Sequence, residues 1–92
     1  MKKFLLQEIN YLNVVGSSNI HIAKSAMYDS FDETMAEAEK ECLAEYAFLS
    51  DYSNGLVFYR KAAEYNPIHA VFSIYNSDMD EVNVWLITEL NI

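Results

Sequence analysis

The sequence predicts an α+β fold: a four- or five-stranded antiparallel sheet with one long helix packed on one face. Three observations carry that expectation. A single stretch, beginning near Phe31, places apolar residues at helical spacing. Runs rich in β-branched and aromatic residues flank it on both sides. The last two of these runs are joined by a short acidic segment, which suits an antiparallel hairpin rather than a crossover. Ninety-two residues, 52% hydrophobic and 14% aromatic, make one small domain with a core rather than a disordered tail.

Residues 4–15 and 20–28 read as extended, the second through alternation of Ile20, Ile22, Ala26 and Tyr28. Between them Gly16-Ser17-Ser18-Asn19 marks a turn. The helix begins after Ser30, whose hydroxyl can cap it, with Glu33 three residues on in the S-x-x-E pattern. Phe31, Met35, Ala38, Cys42, Tyr46 and Leu49 then recur at steps of three or four and share one face. Leu43 and Phe48 fall outside that stripe. Residues 51–55 end the helix with Asn54-Gly55, and strands follow at 56–60, 68–75 and 82–90, separated at Asn66-Pro67 and at 76–81. The order is ββαβββ, or βαβββ if the first two strands form one bent element.

One helix covers one side of a sheet. Val57-Phe58-Tyr59, Ala70-Val71-Phe72 and Trp85-Leu86-Ile87 nevertheless put apolar groups on both sides of successive strands. A second copy of the chain is the simplest cover for the other side, and Phe58, Phe72 and Trp85 are the expected contacts. Seven tyrosines fit a contact surface as well, because the ring packs while the hydroxyl stays wet.

Fourteen carboxylates against six Lys and Arg give a net charge of −8, which argues against direct binding of nucleic acid or an anionic membrane. The imbalance is local: residues 29–51 hold eight carboxylates and only Lys40 in return. Glu33, Glu37, Glu41 and Glu45 follow one another at i, i+4. Like charges at that spacing cost about 0.2–0.5 kcal/mol per pair, and Glu45 and Asp51 near the C-terminal end oppose the helix dipole. Carboxylates in this segment fall about every 4 Å of helix axis, near the roughly 3.4 Å between phosphates of one DNA strand. Asp78, Asp80 and Glu81 form a second acidic spot.

The acidic run Asp29-Ser-Phe-Asp-Glu-Thr-Met-Ala-Glu-Ala-Glu-Lys-Glu-Cys-Leu-Ala-Glu, with the small size and a composition rich in Asn, Tyr and Ile, resembles small phage-encoded proteins that imitate DNA and block restriction enzymes or other host defences. Such proteins share charge layout more than sequence. The resemblance implies a non-enzymatic homodimer in the host cytoplasm whose target is the basic DNA- or RNA-binding groove of a host protein. Asp29, Glu33, Glu37, Glu41, Glu45, Asp51, Asp78, Asp80 and Glu81 would stand in for phosphates. Reversing Glu37 and Glu41 to lysine would then abolish inhibition without unfolding the domain. The competing expectation is an adaptor domain that recognises its partner through the aromatic sheet face, its acids serving solubility.

Catalytic and cofactor chemistry finds little support. His21 and His69, the side chains that titrate near neutrality, lie in predicted strands. Cys42 sits on the buried helix stripe, where a thiol packs rather than attacks, and a lone cysteine makes no internal disulfide. Asp78-Met79-Asp80-Glu81 lacks the glycine and distant glutamate of a calcium loop. Gly16 and Gly55, the two glycines, build no phosphate-binding loop, so no cofactor or metal is expected. Lys2, Lys3 and Phe4-Leu5-Leu6 begin like a signal sequence, but Gln7 and Glu8 interrupt it. The chain thus reads as cytoplasmic.

Overall fold

The computed structural model describes residues 1–14, 17–52 and 55–92, and within them the side chains outside 12–21. The elements are β1 (Lys2–Val14), β2 (Ser17–Tyr28), α1 (Phe31–Tyr52), β3 (Val57–Lys61), β4 (Phe72–Asn76) and β5 (Glu81–Asn91). They build one antiparallel sheet in the order β2-β1-β5-β4-β3, with α1 on one side, in the ββαβββ order that the sequence predicts. The helix leaves the β2 edge and delivers the chain to the β3 edge, so it must cross every strand. Twenty-two residues give it about 33 Å, ample for the roughly 19 Å between the outer strands.

The predicted helical stripe is the packing stripe. Ala38 and Cys42 are fully buried against Leu6, Val57, Phe72, Ile74, Trp85 and Ile87, and Phe31, Met35, Tyr46 and Leu49 flank this core. Thr34, which the apolar pattern passes over, is buried too, because its hydroxyl donates to the Ser30 carbonyl at 2.6 Å and needs no water. Ser30 caps the helix, its hydroxyl accepting from the Glu33 N–H at 3.1 Å. Ser30→Ala is expected to lower the unfolding free energy by about 1 kcal/mol, measured by urea denaturation. At the other end Gly55, at φ 79°, donates its N–H to the Ser50 carbonyl at 2.8 Å and closes the helix. Leu43 and Phe48 point outward and remain exposed.

Register corrects the expected second face. Phe72 stands opposite Trp85, and both side chains belong to the core beneath α1. They are not on the open side. Only Phe58, opposite Tyr75 on β3, lies there, 51% exposed. Runs that are apolar at every position do not reveal which parity faces the helix, and here the parity of Leu6, Ile74 and Ile87 decides it.

Two predicted boundaries also move. Gly16 and Asn54 lie outside the described residues, but residues 17–19 belong to β2, paired with 12–14, rather than to a turn. The ladder uses backbone groups, so Ser and Asn tolerate it there. β4 starts at Phe72 instead of residue 68, because the Asn66 carboxamide accepts the Ile68 N–H and its carbonyl accepts the His69 N–H, folding 66–69 into a turn. The 62–71 connection rests on the sheet end, where the Tyr65 hydroxyl donates to the Ile87 carbonyl at 3.2 Å and its ring meets Phe31 edge-on.

Candidate functional site

The nine predicted phosphate-mimicking carboxylates do not form one continuous track. Successive i+4 residues advance by about 40° around a helix axis, so a row of four cannot stay on the solvent face of a helix packed against a sheet. Glu33 is exposed, whereas Glu37, Glu41 and Glu45 turn down the flank and are half-buried. Glu41 goes furthest. Its side chain is 13% exposed, and its Oε2 accepts from the Lys24 ammonium of β2 at 2.9 Å. Its Oε1 is buried with no hydrogen-bond partner among the described residues. The hydrogen bond and charge of Glu41 in turn hold the Lys24 ammonium above its ordinary value. Asp29 is likewise engaged, by Lys3. Outside the predicted set, Glu39 pairs with Lys61 at 3.8 Å and Glu89 with Lys2 at 3.0 Å.

The sequence reading missed Glu8. It lies on β1 on the helix side, in register with Lys24 and Trp85, and accepts from Asn83 Nδ2 at 3.0 Å. Burial raises its carboxyl above the ordinary value; the Asn83 bond opposes this, the Glu45 and Glu41 carboxylates add to it, and Lys24 lowers it. The folded chain therefore keeps this proton to higher pH than the unfolded chain does. Ionising Glu8 costs stability, fully above its raised pKa and not at all below the ordinary carboxylate range. Glu8→Gln retains an acceptor oxygen for Asn83. It is expected to melt higher than the parent at pH 7, with the advantage shrinking as the pH falls toward 4, in parallel thermal scans. The sequence signal was weak: a carboxylate between Leu6 and Asn10 at strand period.

The remaining predicted acids are presented outward. Asp78, Asp80 and Glu81 ride on the β4–β5 turn, which Asn76 organises: its carboxamide oxygen accepts the N–H groups of Asp78 and Asp80, both at 3.0 Å. Its backbone exchanges bonds with Met79 and Asp80. Met79 occupies the left-handed region at φ 64°, which tightens the turn at a cost of about 1 kcal/mol. Val57 opens β3 opposite Asn76, so the C-terminal end of α1 lies at the same end of the sheet as this turn. Asp51 is exposed there. Asp51, Asp78, Asp80 and Glu81 thus gather at one end, without an ion pair among the described residues, while Glu33 is exposed beside Asp32 in the first turn of the helix.

Nucleophilic chemistry has no footing at Cys42, whose thiol is buried and pushed up to about 12, chiefly by burial. The side chain of His21 lies outside the described residues. His69 lies in the 62–71 connection, not in a strand, and borders an open cavity of about 480 Å³ together with Arg60, Ser73, Tyr75 and Glu81. Among the described residues no three His, Cys, Asp or Glu side chains gather to hold a metal ion, and no helix is long and apolar enough to cross a membrane. No protein-family model, curated protein or solved structure matches the chain, so its own geometry carries the functional reading.

Proposed function

We propose that the chain is a non-enzymatic DNA mimic that inhibits a host restriction, defence or regulatory protein by occupying its basic nucleic-acid-binding groove. The observation that carries this reading is an unbalanced surface. Four of the six cations are spent on Asp29, Glu39, Glu41 and Glu89, and the acids at the α1 C-terminal and β4–β5 end are left unpaired among the described residues. Asp51, Asp78, Asp80 and Glu81 are the principal phosphate substitutes, with Glu33 as an outlying one. Glu41 and Asp29 instead pin β1 and β2 to neighbouring elements.

A net charge of −8 repels DNA and RNA themselves. It steers the chain toward a positive surface, where association gains from long-range attraction. Competition tests the reading. The immobilised chain is exposed to the heparin-binding fraction of a bacterial lysate, which is rich in basic nucleic-acid-binding proteins. It should retain a protein that excess duplex DNA displaces. Retention of partners that hold the chain and DNA together would contradict occupancy of the groove.

A further inference from the structure

The side of the sheet opposite α1 is open over β2, β1 and much of β5, while over β3 and β4 the 62–71 connection shares a cavity with Arg60, Ser73 and Tyr75. Register places Leu5, Gln7, Ile9 and Tyr11 of β1, Val84, Leu86, Thr88 and Leu90 of β5, and Ile22 and Met27 of β2 on that side. Most are half-buried by their neighbours, Ile22 and Met27 are more than half exposed, and Val84, like Ser73 opposite it, is already buried within the single chain. Charge avoids this side. Within the β-strands described there, only Lys3, Arg60 and Glu81 lie on it, all toward its margins. The carboxylates that dominate the molecule stand on the helix, on its flank or at the sheet ends.

We infer that a second copy of the chain covers this open face, giving a two-fold dimer of α/β/β/α layers with both helices outside. A face whose few charges lie at its margins lets two molecules of charge −8 meet with their carboxylates largely turned away from each other. Its size fits. Nine paired residues of β1 and β5 span about 30 Å, and five strands about 24 Å. Because β3 and β4 are only five residues long, about 17 Å, the face amounts to roughly 600 Å² per copy, the lower end of the roughly 600–1,000 Å² per partner of stable interfaces. The chain alone exposes 6155 Å², whereas a folded monomer of 10.6 kDa is expected to expose about 5500 Å². The excess, about 650 Å², is of the same order as the open face. Asp78, Asp80 and the helix C-terminal end stay uncovered, and only Glu81, at the margin, borders the contact.

Sedimentation equilibrium tests it. The parent should weigh twice the chain mass, and Thr88→Lys or Gln7→Lys should give folded monomers, because each adds a charge at the middle of the face without removing a core side chain. Phe48→Lys, on the outer side of the helix, should remain a dimer. A parent that is monomeric at all concentrations, or a dimer broken by Phe48→Lys and untouched by Thr88→Lys, overturns the inference. Should both face variants lose their fold, carbene footprinting of the parent decides. Labelling at Leu5, Ile9 and Leu86 should rise on dilution; labelling that is independent of concentration overturns the inference.

Discussion

Trp85→Ala is expected to remove most of the stability of the domain. The indole is fully buried at the centre of the core, opposite Phe72 on β4 and under the helix residues Ala38 and Cys42. Truncating a buried aromatic to alanine costs about 3–5 kcal/mol, and a chain of this size has only about 5–14 kcal/mol in all. Trp85→Phe should cost much less. The Trp85 Nε1–H is buried with no hydrogen-bond partner among the described residues. Exchanging indole for phenyl therefore removes an unsatisfied donor worth about 1–3 kcal/mol while keeping a ring in place. Urea unfolding of both variants checks this. An alanine variant within about 1 kcal/mol of the parent would mean that Trp85 is not the keystone that its burial indicates.

Charge reversal should separate binding from folding, but at different residues from those that the sequence suggests. Asp78→Lys with Asp80→Lys alters two exposed side chains whose carboxylates form no ion pair among the described residues; the turn is held by their backbone N–H groups and Asn76. The variant is expected to fold as the parent does and to lose about tenfold or more in affinity, equivalent to about 1.4 kcal/mol or more. Glu41→Lys should do something else. It removes the partner of Lys24 and sets a second ammonium beside it under the helix flank, so the fold is damaged before binding can be read. A Glu37 and Glu41 double reversal therefore cannot serve as the clean test. Circular dichroism melts and titration calorimetry against the captured partner distinguish the two classes of variant.

The contrast shows which features are legible in a sequence. The helix was read nearly to the residue because two local signals agree: the Ser30 cap and the apolar recurrence from Phe31 to Leu49. The succession of elements along the chain and the antiparallel sense also follow from local runs and short connections, whereas the pairing of β1 with β5 joins the two ends of the chain and has no local signal. Facing does not. At Trp85-Leu86-Ile87 and Ala70-Val71-Phe72 every position is apolar, and only pairing between distant strands shows that Phe72 and Trp85 look toward α1 while Leu86 looks away.

The acidic row failed for a related reason. An i, i+4 list preserves neighbours along a ridge but hides the drift of that ridge around the axis, so Glu33 and Glu45 cannot share an aspect toward solvent. The Lys24–Glu41 pair joins residues 17 apart in the chain, and nothing local announces it. Asp78, Asp80 and Glu81 were legible as a polar turn. What holds them outward is the carboxamide of Asn76, a role that a turn-former in this position permits but does not prove.

Ionic strength provides the most direct measurement of the central claim, that unpaired carboxylates at one end of the molecule meet a basic surface. The affinity of the parent for its captured partner should fall steeply between about 50 and 300 mM salt, as screening shortens the reach of exposed charges. The slope should flatten in the Asp78→Lys, Asp80→Lys variant. An affinity that stays constant across that range, with parent and variant indistinguishable, would contradict the account.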